Sequence, residues 1–532
     1  MRIGSATLRT FKSVHNWVGI TAGFLLFVAF YAGAITVFQQ PIQRWASMRD
    51  ARAVAAPASL SDAQRLLDEV LAGHPHARDF VGMTFPGSEY ATMSAYWQDA
   101  QGTWRYATAG DTAGSPAPPG AVLPELINEL HYALGAPPLG TWLMGVVSLL
   151  YGIALISGLI IHLPMLVRNL FALRPGRNLK QFWQDAHNVI GVLSLPFHLV
   201  FAVTGAALCL LAVAMVVLNP LVFDGKLNSA VGAAMDTAPV MAPASREGSL
   251  LPLADLYRRS IDVAKDHGVA DFRPAYLKLT NAGDAHAVIE ITGTWPRGLG
   301  AGVVALDATS GAMLAQQLPG QRDANHLTLA ATYALHYGDY GNAIVQWLYF
   351  LLGLGGAFLF YSGNLLWIES RRKRSRRQQG RAPTNMARAT VGICLGLCVA
   401  VSLSFVAAQV LPLAGINGGR AEYAVCFGAW ALCALWAARR APIRAARELL
   451  WLAAAVTAVI PVAHGLATGW WFWISTAAGQ YALSGVDLVA LAMGLAFAML
   501  ARAVARRGHR GDPYSVWADD AAVDGTPGTV AS

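Results

Sequence analysis

Apolar residues in this chain come in long unbroken runs, at about 14–38, 140–166, 187–218, 342–368, 389–413, 421–438, 448–470 and 482–503. Such runs are of the length a helix needs to cross the roughly 30 Å hydrocarbon layer of a bilayer. The pattern predicts eight spans. Two polar stretches interrupt it, about 40–139 and about 219–341. The first opens with an amphipathic helix candidate, SLSDAQRLLDEVLAGH, capped by Ser59 or Ser61, and continues into strand-like alternation in DFVGMTF, YATMSAYW and TWRYATA. The second repeats that order with SLLPLADLYRRSIDVAKDH, AYLKLT, HAVIEITG and GVVALDATSGAMLAQQ. Each reads as a small α+β module, with PAPPG and APVMAPAS as flexible turns or linkers.

Composition agrees with the pattern. Of 532 residues 55% are hydrophobic and 13% charged, about half the charged fraction of a soluble domain. The net charge of +8 is concentrated in short clusters between apolar runs, which is a topology signal and argues against a nucleic-acid partner. The N-terminus, the segment 168–180, RRKRSRRQQGR from Arg371, and the segments 439–447 and 502–510 lie on alternate sides of successive spans. All five are therefore expected in the cytoplasm with both termini, and the two long polar loops outside. The first run is too long for a signal-peptide core and reads as a retained anchor. The expected organisation is 1–39 with the first span, 40–139 the first outer domain, 140–218 spans two and three, 219–341 the second outer domain, 342–388 span four and a basic loop, 389–510 four further spans, and 511–532 a cytoplasmic tail.

The membrane part carries a direct repeat. His15-Asn16-x-x-Gly19 superposes on His187-Asn188-x-x-Gly191, and Ala32-Gly33-Ala34 on Thr204-Gly205-Ala206. Leu130-His131-Tyr132 matches Leu335-His336-Tyr337, Trp142 matches Trp347, and Ser157-Gly158 matches Ser362-Gly363. The unit is helix, outer domain, helix, used twice, which predicts a four-helix core about a pseudo-two-fold axis.

Histidines in such a core are costly unless they have a job. His187 and His198 are eleven residues apart in one run, about 16 Å of rise and three turns, so one helix face is expected to carry both. Neutral imidazole is a standard axial ligand of haem iron, and two levels of histidine suit two haems. His15, His162 and His187 fall near the cytoplasmic ends, His131 and His336 on the outer side, and His198 between. The repeat pairs His15 with His187 and His131 with His336; His162 and His198 have no repeat partner and are rival members. The glycines of these spans suit both close helix packing and a haem plane. With no C-x-x-C-H, a haem is expected to be noncovalent. Cys394 and Cys398 share a helix face and read as core thiols, His464 as a packed residue, and His74, His76, His267 and His286 as surface residues.

These repeated histidine motifs, the Ser-Gly helix ends and the paired α+β loops resemble the PepSY-associated transmembrane family, which includes inner-membrane ferric-siderophore reductases. The likeness covers about residues 8–372. It implies a polytopic α-helical protein of the bacterial inner membrane with a duplicated four-helix core holding two b-type haems, and two periplasmic PepSY-like domains. It implies electron delivery to a ferric siderophore or other ferric chelate for iron uptake. Carried over by position, it points to His15, His131, His187 and His336, and less directly to His162 and His198. Asn16 and Asn188 stand where family members often have a basic residue.

No strand-flanked G-x-G-x-x-G occurs, so quinol or a partner reductase is expected to supply electrons. His326, Tyr337, Asp339 and Tyr340, with Trp295 and Arg297, are candidates for the border of a chelate site. A different class is a non-redox membrane protein whose outer domains bind peptides or regulate a protease, and a solute permease is a third.

Overall fold

The computed structural model describes residues 4–48, 58–86, 93–115, 121–163, 179–295, 298–373, 379–416, 419–510, 512 and 514–518. PAPPG, Arg297, most of the basic segment 168–180, part of the basic run after Arg371 and most of the tail 511–532 lie outside them. The chain forms two compact units, one of residues 1–52, 121–212 and 349–532 and one of residues 53–120 and 213–348.

In chain order the principal helices are α1 (Ser5–Thr36), α2 (Gln39–Ser47), α3 (Leu60–Gly73), α4 (Leu123–Ala133), α5 (Leu139–His162), α6 (Leu179–Leu193), α7 (Leu195–Val222), α8 (Leu253–Asp266), α9 (Ala324–Tyr337), α10 (Ala343–Ser370), α11 (Arg381–Leu413), α12 (Gly419–Arg439), α13 (Pro442–Thr468) and α14 (Tyr481–Arg510). Among the described residues eight are long and apolar enough to cross a membrane: α1, α5, α7, α10, α11, α12, α13 and α14. The eight apolar runs are therefore eight helices, the form in which a chain in hydrocarbon satisfies its backbone internally.

The third run departs from its expected form. The pattern gives one helix from 187 to 218; a single turn residue, Ser194, divides it, while the Ser194 N–H still bonds the Ile190 carbonyl at 3.0 Å and the His198 N–H the Ser194 carbonyl at 2.9 Å. Pro196 has no N–H to give the preceding turn and is tolerated in the first turn of a new helix, which places the boundary there. His187 and His198 therefore carry different helix labels, α6 and α7, yet both rings face α10, where a Cβ at Gly363 would lie 3.4 Å from His187 Cε1 and one at Gly356 3.2 Å from His198 Cε1, as one shared face requires.

The first unit packs α1 against α5 and α4, and α2 against α4 and α14, while α11 lies against α12 and α13. One apolar core runs through it from Leu26, Phe27 and Tyr31 of α1 to Cys398 and Phe405 of α11 and Leu483 of α14.

In the second unit, among the described residues, each polar stretch supplies one helix that packs on the strands, α3 or α8, and four strands: β1 (Phe80–Thr84), β2 (Ser94–Gln98), β3 (Trp104–Thr108) and β4 (Asp111–Ser115), then β5 (Arg273–Thr280), β6 (Val288–Thr294), β7 (Gly302–Asp307) and β8 (Met313–Gln317). The alternation found β1 to β3, β5 and β6; β4 was not foreseen, and the single run from Gly302 to Gln317 divides into the hairpin β7–β8. The eight strands make one antiparallel sheet in the order β4-β3-β2-β1-β5-β6-β7-β8. Its joint is the β1–β5 pair, in register from Phe80 opposite Thr280 to Thr84 opposite Tyr276. Leu66, Leu67 and Val70 of α3 and Leu256 and Val263 of α8 share one core with Val81, Met83, Leu277, Leu279, Ile289 and Val304 on the facing side of the sheet. On the opposite face Tyr96 and Tyr276 lie parallel, ring centres 6.1 Å apart, with their hydroxyls 2.7 Å apart. They cover Gly82, where a Cβ would come within 2.5 Å of both.

Candidate functional site

His15 on α1 and His187 on α6 come together, with ring centres 6.2 Å apart and planes at 81°. One device holds both rings. His15 Nδ1 is 2.9 Å from the carbonyl oxygen of Ala154 on α5, with Ser157 Oγ at 3.5 Å. His187 Nδ1 is 3.1 Å from the carbonyl oxygen of Leu359 on α10, with Ser362 Oγ at 3.2 Å. A carbonyl only accepts, so each Nδ1 carries the hydrogen and each Nε2 keeps its lone pair. Four residues beyond each carbonyl stands a glycine. A Cβ at Gly158 would lie 3.1 Å from His15 Cε1, and one at Gly363 would lie 3.4 Å from His187 Cε1.

His131 follows the same rule from a helix outside the spans. Its Nδ1 is 2.8 Å from the carbonyl oxygen of Ala29 on α1, and a Cβ at Gly33, again four residues on, would fall 2.6 Å from that nitrogen. A spacing of four puts carbonyl and glycine on one helix face, so the missing side chain lets the ring lie close enough to reach the backbone. Burial holds the His131 ring below its ordinary pKa of 6.5, which keeps the imidazole neutral near pH 7.

The remaining candidates behave differently. His198 is wholly buried among Phe30, Tyr151 and Phe197, with ring centres 5.7 to 6.0 Å away. Its Nε2 is engaged by Ser194 Oγ at 2.9 Å, and its Nδ1 and the neighbouring Tyr151 hydroxyl are buried without a partner. His162 ends α5, close enough to His15 for their charges to interact. His336 sits in the last turn of α9, in the other unit, with its ring edge-on to Tyr337 at 5.7 Å.

The expected chelate border does not form one cluster. His326 is in the first turn of α9, where its backbone N–H and ring Nδ1 both bond the capping carboxylate of Asp323, at 3.0 and 2.7 Å. Tyr337 is eleven residues further, about 16 Å along the same helix, beside Asp339 and Tyr340. Burial raises the Asp339 carboxyl above the usual carboxylate range. Trp295 carries the guanidinium of Arg322 5.5 Å from its ring centre, a contact that sequence reading missed.

The family model for the PepSY-associated TM region matches residues 12–370. The chain belongs to the PepSY-associated transmembrane family. An uncharacterized protein of Pseudomonas aeruginosa is 28% identical over 354 residues, covering 64% of this chain and 86% of that protein. The match contains His15, His131, His162, His187, His198, His326 and His336, and α11 to α14 lie beyond it.

Proposed function

We propose that this family member is a b-type di-haem oxidoreductase of the bacterial inner membrane that delivers electrons to a ferric chelate, such as a ferric siderophore, on the outer side. The observation that carries the reading is the mirrored pair His15 and His187. A metal ion bonded to one nitrogen of each ring at about 2 Å sets the ring centres roughly 6 Å apart, in line with the observed 6.2 Å. Their Nδ1–H groups are already tied to backbone carbonyls, the usual outer partner of a ligating imidazole, which fixes the tautomer and leaves Nε2 as donor. Bound haem supplies one-electron exchange at its iron. The chain's share is to hold that iron between His15 and His187, with Ser157 and Ser362 steadying the two rings.

His131 offers the same arrangement for a second haem, meeting α1 at Ala29, fourteen residues from His15 and so about 21 Å along the helix. His336 is its repeat-matched counterpart, and His162 and His198 stay as supporting members of the two levels. Reduction of the chelated Fe(III) weakens its hold on hard oxygen ligands, which releases iron. Quinol or a partner reductase is the donor.

The test is anaerobic. Protein reduced with dithionite and freed of excess is mixed with a ferric hydroxamate in the presence of a ferrous-specific chelator. The reading predicts reoxidation of the haem bands in step with formation of the ferrous complex; reduced bands that persist with no ferrous complex contradict it. A non-redox, peptide-binding reading is favoured by a groove in the second unit between α3, α8 and the sheet, lined by Leu67, Leu250, Leu256 and Leu279 with Gln64 and Asp68. It predicts a colourless protein.

A further inference from the structure

The four spans beyond the family match hold a buried polar cluster that the histidine core does not use. His464 of α13 and Asp487 of α14 are both wholly buried, with His464 Nδ1 2.9 Å from Asp487 Oδ2. The other carboxylate oxygen lies 2.9 Å from the indole nitrogen of Trp45, on α2, whose ring centre is 4.8 Å from that of His464. From α11, Gln409 donates to the Trp45 carbonyl at 3.2 Å, and Phe405 packs on the Trp45 ring. Two polar atoms in this cluster, His464 Nε2 and Gln409 Oε1, are buried without a partner.

An indole N–H only donates, so Asp487 Oδ1 accepts. In the state where the imidazole N–H donates to Oδ2, both oxygens are acceptors, the carboxylate is ionised and the second nitrogen of His464 is left bare in the interior. With that nitrogen bare the cluster holds one net negative charge in a poorly polarisable surrounding, which is unfavourable. A proton on Nε2 turns it into a neutral imidazolium–carboxylate pair. The groups facing His464 are Asp487 from α14 and Trp45 from α2, and α11 adds Gln409 and Phe405 against Trp45. Asp487 is the acidic group among these contacts.

We propose that His464 Nε2, poised by Asp487, is a proton-binding site that fills when the histidine core gains an electron. The helices that join the two sites are continuous: α2, which carries Trp45, packs on α4, which carries His131, and α4 packs on α1. An electron added to the core is matched by one proton taken from water onto Nε2, so the buried charge stays constant, and oxidation returns the proton. The end of α13 is one turn away, where Thr468 Oγ donates to the His464 carbonyl. Proton binding stands without the haem reading; the coupling rests on it.

The test uses full-length protein in nanodiscs with ¹⁵N-histidine label, and His464→Gln to assign the His464 ring signals. The expected result is that Nε2 takes up its proton between pH 5 and 9, that Asp487→Asn moves the midpoint down by at least one pH unit, and that Trp45→Phe, which strips one donor from the carboxylate, moves it up. Each variant is first checked for a monodisperse elution profile, and either one that folds suffices. A ring that keeps one protonation state across the range, or a midpoint that neither substitution moves, overturns the proposal. For the coupling, redox titration of the haem bands at several pH values should show the reduction equilibrium moving by up to tenfold per pH unit in the parent protein and losing that dependence in His464→Gln. The same dependence in both proteins overturns the coupling. A colourless preparation defeats the haem reading and the coupling together, while the nitrogen signals still decide the proton site.

Discussion

A carbonyl and a glycine one helical turn apart hold His15, His131 and His187, and each part of that device is separately testable. Ser362→Ala and Ser157→Ala should keep the fold and weaken haem retention by about 10- to 100-fold, as losses of an outer partner of a ligating imidazole do; haem lost per chain on dilution measures it. Gly33→Val should be more severe, since a Cβ there would already stand 2.6 Å from His131 Nδ1. At this scale the sequence was informative about ligands and silent about their supports. The repeat pairs His15 with His187, leaving His162 as the rival, and the glycines do not decide between packing and haem because their spacing to a carbonyl is not a property of side chains. Ala154, Leu359 and Ala29 act through backbone oxygens, and no residue type announces that. The reading of His464 as an ordinary packed residue missed its partner because Asp487 is 23 positions away on another helix.

Elements show where local rules sufficed. The capping box at Ser59, with Asp62 answering it, starts α3 where the motif placed it, and Ser59→Ala should cost about 1 kcal/mol of stability in a denaturant titration. Asp323 caps α9 in the same manner. The backbone N–H of His326 holds the Asp323 carboxyl below its usual 3.8, so its contribution is present above that pH and is lost as pH falls through the lowered value. The protection factors of the first-turn amides of α9 should therefore fall below about pH 4 and lose that pH dependence in Asp323→Asn. In the sequence His326 is a chelate-border candidate for its place ten residues before His336, and its bond to the capping aspartate is a local use that this spacing does not display. Pro196 marks where α7 begins, and the apolar run across it conceals the one-residue interruption at Ser194, while His187 and His198 still share α10 as their facing helix.

For the whole molecule, the duplication was legible and the way its halves close was only partly so. Both polar stretches were expected as helix-plus-strand modules and are, but β1 and β5 join them into one sheet through residues some two hundred positions apart. Such pairings leave no periodic trace. Gly82 lies at that joint under Tyr96 and Tyr276, and Gly82→Ala should cost about 1 to 3 kcal/mol by overpacking, read as a lower midpoint in thermal unfolding of the full chain. The four-helix core is likewise the sum of two repeats, and its function rests on whether the histidines they bring together hold haem. The most direct measurement is a pyridine haemochrome count with oxidised and dithionite-reduced visible spectra, made on detergent-purified protein produced with ample haem and on His15→Ala and His187→Ala. The account predicts two haems b per chain in the parent protein and one in each variant. A colourless parent protein, or variants that keep both haems, would contradict it.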